Sequence, residues 1–362
     1  MKANQIFVNY GEKGKDMVKE ILAEIKVEAN LKQDDLIALK PNLINTTKSQ
    51  KGATTDPEIV SGIIEYLKDK NFKNIMIMEG SWVGADTEQA FQYCGYKKLS
   101  QKYDISLYNL QKDNYIIKKY KDLEIEIAET ALNADYIINL PVLKGHCQTK
   151  ITCALKNLKG CISNNEKRKF HRQGLYKPIA YLNKLLKQDL IIVDGIYGDL
   201  DFEEGGNPVK MNRIMAAKDP VLIDSYAAEL LGYTPDEIDY IKIAKQIGVG
   251  EKDLKKADII ELKQNQSEEI NYSTQKLKKL MNKIIVKEVC SACYGSLLHA
   301  LKRIDKQGKL EQIDEPIKIG QGYQDQKVKG IGIGNCCLRA DINLKGCPPS
   351  AKQIFNFLRK NI

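Results

Sequence analysis

Cysteines carry the most specific chemical pattern in this chain. Cys290-x2-Cys293 is followed, after 42 intervening residues, by Cys336-Cys337 and, after nine more, by Cys347, with Pro348 and Pro349 behind it. A C-x2-C pair sets two thiolates on one tight turn, able to take adjacent corners of an iron–sulfur cluster or to share one metal ion. The other ligands must come from afar. Cys336-Cys337 ends the glycine-rich run IGIGN, and Cys347 stands in a turn whose prolines hold off a helix until Ser350. Neighbouring residues do not easily both reach one cluster, so one of Cys336 and Cys337 is expected to ligate and the other to pack. Gly295, Gly334 and Gly346 let backbone close on the sulfurs. The expected occupant is one 4Fe-4S cluster. Structural zinc held by four cysteines is the rival, although such sites usually draw on two C-x2-C pairs.

A second set of residues lies at the ends of apolar runs. Lys40, Pro41 and Asn42 end one run, Glu79 and Gly80 another, Lys144 and His146 a third, and Asp194 a fourth, while Lys156 and Asn157 fall on the next helical stretch and His171 soon after. In an open parallel sheet, strand ends of this kind share one edge, where ligands bind. Lys40, Asn42, Lys156, Asn157 and Asp194 would hold a small anionic ligand, and Lys144, His146 and His171 would be the catalytic groups, a histidine serving as acid or base. The plain alternatives are solvated lysines, hydrogen-bonded structural histidines and an Asp194 that caps a turn. Asp219 and Asp224 read as helix caps. Cys147, Cys153 and Cys161 are poorly spaced for one shared site, and Cys94 reads as a packed thiol.

The elements that must position these groups alternate. Strand patterns at QIFVNY, DLIALKPNLI, NIMIMEG, ISLYNL, DYIINLPVLKG, DLIIVDGIYG and ADIIEL are separated by helical patterns at 16–28, 57–69, 149–158, 178–187, 220–231 and 236–246. This predicts an α/β fold: a mainly parallel twisted sheet with flanking helices, plus a small C-terminal α/β iron–sulfur module. The polar stretch 263–283 divides the 362 residues into domains 1–270 and 271–362, with the boundary near Asn271. In the second, 294–304 and 350–360 read as helices and PIKIGQG and KGIGIGN as strands. So small a core would gain from a metal staple. DFEEGGNPVK (201–210) reads as a loop able to cover the sheet edge.

Charge and composition narrow the function classes. The net charge is +9, and residues 284–362 hold 13 Lys/Arg against 7 Asp/Glu, so the excess gathers around the cysteines. That suits an anionic cluster and docking to an acidic electron carrier such as a ferredoxin or flavodoxin. Nucleic acid is not an expected partner, because no basic run with interleaved aromatics occurs. No apolar stretch of membrane-spanning length and no export-type N-terminus is present, which predicts a cytoplasmic protein. Neither G-x-G-x-x-G after the first strand nor G-x4-G-K-[ST] occurs, so the usual dinucleotide and nucleotide triphosphate devices are missing.

The run LPVLKGHCQTKITCALKNLKGCIS (Leu140–Ser163), then His171, LIIVDGIYG (Leu190–Gly198) and GGNPVKMNRIMAAKDPVLIDSYAAELLG (Gly205–Gly232), with IALKPNLI upstream, resembles the "domain of unknown function 362" family over roughly residues 1–260. The tail resembles the cluster-binding extension of some members, in which a C-x2-C, a G-x-C and a GCPP segment supply four cysteines. The resemblance implies Cys290, Cys293, Cys336 and Cys347 as ligands, Cys337 being extra to the pattern. It implies an α/β iron–sulfur or redox-associated protein with no established reaction, its sheet similar in fold to the nickel-dependent lactate racemases. The expected function is electron transfer through the cluster to or from a site at the sheet edge, as in an iron–sulfur oxidoreductase. A binding module with a purely structural cluster or zinc, and a cluster-dependent hydratase or isomerase, are the alternatives.

Overall fold

The computed structural model describes residues 1–203, 208–263 and 276–362. The chain divides into two units: Met1–Arg168 with Leu175–Ser273, and Lys169–Gly174 with Thr274–Ile362. The expected boundary near Asn271 lies outside the described residues.

The larger unit is built on a ten-stranded sheet. Its strands are β1 (Gln5–Tyr10), β2 (Ile37–Pro41), β3 (Ile75–Glu79), β4 (Ser106–Asn109), β7 (Tyr136–Leu140), β8 (Val142–His146), β9 (Lys150–Thr152), β10 (Leu190–Asp199), β11 (Pro208–Ala217) and β12 (Asp258–Glu261). A separate hairpin pairs β5 (Tyr115–Tyr120) with β6 (Leu123–Ala128). The sheet order is β12-β1-β11-β10-β7-β2-β3-β4, with β8 on β10 and β9 on β8. From β10 through β7, β2 and β3 to β4 all pairs are parallel. β2, β3 and β7 are buried at every position, which is why their sequences are near-continuous apolar runs rather than alternating ones. The mainly parallel α/β architecture read from the pattern is therefore the architecture found.

Helices cover the sheet by burying one stripe. Gly14–Ile25 turns Met17, Val18, Ile21, Leu22 and Ile25 inward, the i, i+4 spacing of an amphipathic helix. Pro57–Asp69 begins where Asp56 accepts the N–H of Glu58 and Pro57 fills the first turn, where no amide donor is needed.

Three local expectations change. DYIINLPVLKG is two strands, broken at Pro141, which has no N–H for the ladder. Residues 149–158 are not one helix: Ile151 pairs with Gly145 in the β8–β9 hairpin, and the helix is confined to Ala154–Asn157. β11, unpredicted, lies antiparallel between β1 and β10.

In the smaller unit β13 (Ile284–Val286), β14 (Ile317–Ile319), β15 (Val328–Ile333) and β16 (Ala340–Leu344) form a four-stranded, wholly parallel sheet in chain order. Helices Ser291–Lys306 and Ala351–Asn361 accompany it, the latter opened by a Ser350–Gln353 capping box.

Candidate functional site

Parallel pairing in chain order brings the carboxyl ends of β13, β14, β15 and β16 to one edge of the small sheet, and ligands of open α/β sheets bind at that edge. The four cysteines of the sequence pattern are there. Cys290 is the cap residue of helix Ser291–Lys306 and Cys293 stands in its first turn; Cys336 lies in the turn Asn335–Cys337 after β15, and Cys347 follows β16. All four line one cavity of about 220 Å³, together with Gly320, Gly334 and Gly346 from the loops between them. Gly334 has φ +93°, and a Cβ there would stand 3.9 Å from Cys293 Sγ. A side chain at that position would be strained and would narrow the space between the thiols.

The loops are tied to each other by backbone and by two asparagines. Asn335 donates its N–H to Gly346 O (3.0 Å) and accepts the Gly346 N–H on Oδ1 (2.8 Å), joining the Cys336 and Cys347 loops. Asn343 Nδ2 donates to Gly332 O, Gly334 O and Cys337 O at 3.0–3.1 Å. Neither asparagine is evident as a site residue from the sequence, since the side-chain partners are backbone groups, an N–H for Asn335 and carbonyls for Asn343, that any residue would supply. Cys337 is fully buried, with its thiol on Lys318 O (3.6 Å), while Cys336 lines the cavity.

Electrostatics make this a nest of like groups. Burial pushes the Cys293 thiol up to about 12, and the neighbouring Cys290, Cys347 and Cys336 add to the shift. Cys336 is raised by burial and then by Cys290 and Cys347. Their neighbours thus oppose ionisation of Cys293 and Cys336 until a cation offsets the charge. Among the described residues, no three His, Cys, Asp or Glu side chains are grouped to hold a single metal ion.

The larger unit gathers most of its predicted strand-end residues as well. Lys40, without exposed surface, donates to Glu79 Oε2 (2.9 Å) and to Pro41 O (3.0 Å). Gly160 passes so close that a Cβ would meet Glu79 Oε1 at 2.1 Å and Lys40 Nζ at 2.7 Å. Asn42 links the set: its Nδ2 donates to Asn157 Oδ1 (2.8 Å) and its Oδ1 accepts from Lys144 Nζ (2.5 Å). Lys144 also donates to Ala53 O and to Glu203 O. Asn157 donates to Asn139 Oδ1 (2.7 Å).

His146 accepts the N–H groups of Gln148 and Thr149 on Nδ1, both at 3.0 Å. That assigns its proton to Nε2, which faces Glu203 Oε1 at 3.3 Å. The other oxygen of Glu203 accepts from Lys156 Nζ. Burial, and secondarily Lys156, lower His146 to about 4, so the ring is neutral and serves Glu203 as a donor. Glu203 is held well below the usual carboxylate range, its partners Lys156 and His146 overcoming burial.

Two lysines outside the predicted set belong here. Lys167 donates to Gly80 O and Ser81 O, and burial lowers it to about 8; burial and the neighbouring Lys156 lower Lys159 to about 7. Lys159 was legible in principle, because it lies three residues beyond Lys156 in the LKNLKG run.

Asp194 gives both oxygens to backbone N–H groups, of Asp56 and Ile196, the turn-capping role. Asp219 caps its helix through Val221 N and Leu222 N. Asp224 does not: it reaches across to the N–H groups of Ala154 and Leu155 and anchors the helix carrying Lys156 and Asn157. His171 lies in the last turn of helix Asn164–Gln173, in the segment grouped with the smaller unit.

Residues 37–229, more than half of the chain, match the family described as Domain of unknown function (DUF362), and the chain belongs to that family. The resemblance of its strand-end motifs is thereby borne out; the cysteine-bearing segment lies beyond the matched residues. A thylakoid-associated protein of Synechocystis sp. is 25% identical over 230 residues, 60% of this chain and 70% of that protein. The lactate racemase apoprotein of Thermoanaerobacterium thermosaccharolyticum has 14% identity and a TM-score of 0.39, over 67% of this chain and 57% of that one. This chain thus spans little more than half of the racemase, and no activity is carried across. Among the described residues no helix is long and apolar enough to cross a membrane.

Proposed function

We propose that this protein is a cytoplasmic iron–sulfur protein of redox function, in which Cys290, Cys293, Cys336 and Cys347 hold one 4Fe-4S cluster. The observation that carries this reading is the convergence of four thiols, from three loops at one sheet edge, on one cavity. When bound, the cluster supplies one-electron transfer. The chain's own residues set the conditions: the first-turn amides of helix Ser291–Lys306 favour an anionic group beside Cys290 and Cys293. Asn335 and Asn343 fix the Cys336 and Cys347 loops. Four lining cysteines leave no corner for substrate, which favours electron transfer over hydratase or isomerase chemistry.

Lysines and arginines outnumber acids 13 to 7 across residues 284–362. They suit an acidic carrier such as ferredoxin or flavodoxin, with association that weakens as salt rises. The lysine-rich sheet edge of the larger unit is the second part of the proposal, as the place where a small anionic ligand binds.

Anaerobically purified protein should contain about four irons and four acid-labile sulfides per chain and give a spin-half resonance after dithionite reduction. Protein with neither iron nor sulfide overturns the reading. Zinc without sulfide assigns the cysteines to a structural metal.

A further inference from the structure

Glu203 is an unusual neighbour for the residues that the sequence marks as an anion site. Its two carboxylate oxygens are taken by two different groups, Oε1 facing His146 Nε2 at 3.3 Å and Oε2 bonded to Lys156 Nζ. The acceptors of His146 and Lys156 thus lie on one planar group. Lys144 and His146 are fixed from behind, Lys144 by Asn42 and Ala53 and His146 by the amides of Gln148 and Thr149. These donors are buried and built, whereas Glu203 is a fifth exposed and enters from the loop after β10.

We propose that the Glu203 carboxylate occupies the place of a ligand: His146 and Lys156 form a two-point site for the carboxylate of a small organic acid, and Glu203 is an internal competitor that the ligand displaces. This rests on the anion-site reading above and specifies its ligand class. The donor geometry suits a planar carboxylate, with one donor to each oxygen. Lys159, lowered to about 7 by burial and then by Lys156, is a further cation beside the pair and keeps the surroundings favourable to a negative charge when Glu203 leaves. His146, neutral with its proton on Nε2, donates to the ligand without taking or losing a proton.

The test is calorimetric titration of full-length protein with acetate, malonate and inorganic phosphate, on wild type and Glu203→Gln. The substituted amide keeps the shape and removes the charge, so carboxylates should bind about tenfold or more tightly to the variant, the factor by which an internal competitor reduces the competent population. Lys156→Met in the Glu203→Gln background should abolish that binding. The chain has only three histidines, so the imidazole nitrogen resonances of wild type give an independent readout: the His146 Nε2 signal should shift on adding carboxylate. Equal carboxylate affinity of wild type and Glu203→Gln overturns the competitor role while leaving an anion site standing. Phosphate bound more tightly than either carboxylate overturns the ligand class. No binding of any probe to either protein, with the His146 signal unmoved, overturns both the inference and the anion-site reading.

Discussion

Both candidate sites lie at the carboxyl ends of parallel strands, but they manage charge in opposite ways. In the smaller unit four thiols face one another, and burial and mutual repulsion raise Cys293 to about 12. The nest has no opposite charge among its lining residues. In the larger unit the cations are accompanied by carboxylates of the chain itself, Glu79 on Lys40 and Glu203 on Lys156. A set of like groups that lacks internal neutralisation is organised for a cation from outside. A set partly neutralised by a displaceable side chain is organised for exchange. The first should therefore respond to ligand loss all at once, and the second by degrees.

The sharpest break in that comparison is Cys290→Ala or Cys336→Ala. Three thiols cannot replace the fourth from elsewhere in the cavity, so iron and sulfide content of the anaerobically purified variant should fall to the background level. Retention of a full complement would remove that cysteine from the ligand set. On the other side, Glu79→Ala leaves the Lys40 ammonium buried without its partner, a change expected to cost about 3–5 kcal/mol. Urea unfolding followed through the one tryptophan, Trp82, which belongs to the larger unit, measures it. Iron content should not change. A loss below about 1 kcal/mol would mean that water relieves the lysine.

The smaller effect on the lysine side is a pH dependence. An unfolded chain protonates its histidine near 6.5, whereas His146 in the fold resists until about 4. Acidification across that window therefore removes stability, on the order of 3 kcal/mol when complete. Asp194 slopes the other way: burial raises it to about 7, so its contribution is present at low pH and lost between about 3.8 and 7. The diagnostic quantity is thus the difference in melting temperature between wild type and His146→Gln, which should be constant above pH 6.5 and shift against wild type as pH falls from 6.5 toward 4. A constant difference would show that the fold leaves His146 as easily protonated as the unfolded chain does.

Much of this was legible in the sequence because it is local. Central strands read as apolar runs, the helix over 57–69 reads with the bounds it has, and Lys40, Asn42, Lys144 and His146 sit at strand ends that parallel pairing must align. Glu203 was legible only as part of a glycine-rich loop. Its pairing with His146 joins positions 57 apart and depends on the path of the chain after β10, for which no local pattern exists. Asp224 was read as a cap of its own helix because it follows a helix start. The distinction between its own helix and Ala154–Asn157 is tertiary. The long apolar run through Pro141 illustrates the converse, since the missing N–H that divides it was visible, but continuous hydrophobicity outweighed it.

The choice between adjacent cysteines separates position in sequence from position at the cavity. Cys336 lines the cavity, and Cys337, one residue on, turns its thiol to Lys318 O in a small cluster with Tyr323 and Val328. Cys337→Ala should therefore keep its iron and sulfide and lose only packing, about 1 kcal/mol by thermal unfolding. Its reduced resonance should keep the wild-type line shape, because no ligand has changed. Loss of iron from Cys337→Ala together with retention in Cys336→Ala would exchange their roles. The turn Asn335–Cys337 would then have to rotate about the Asn335–Gly346 hydrogen bonds that now hold it.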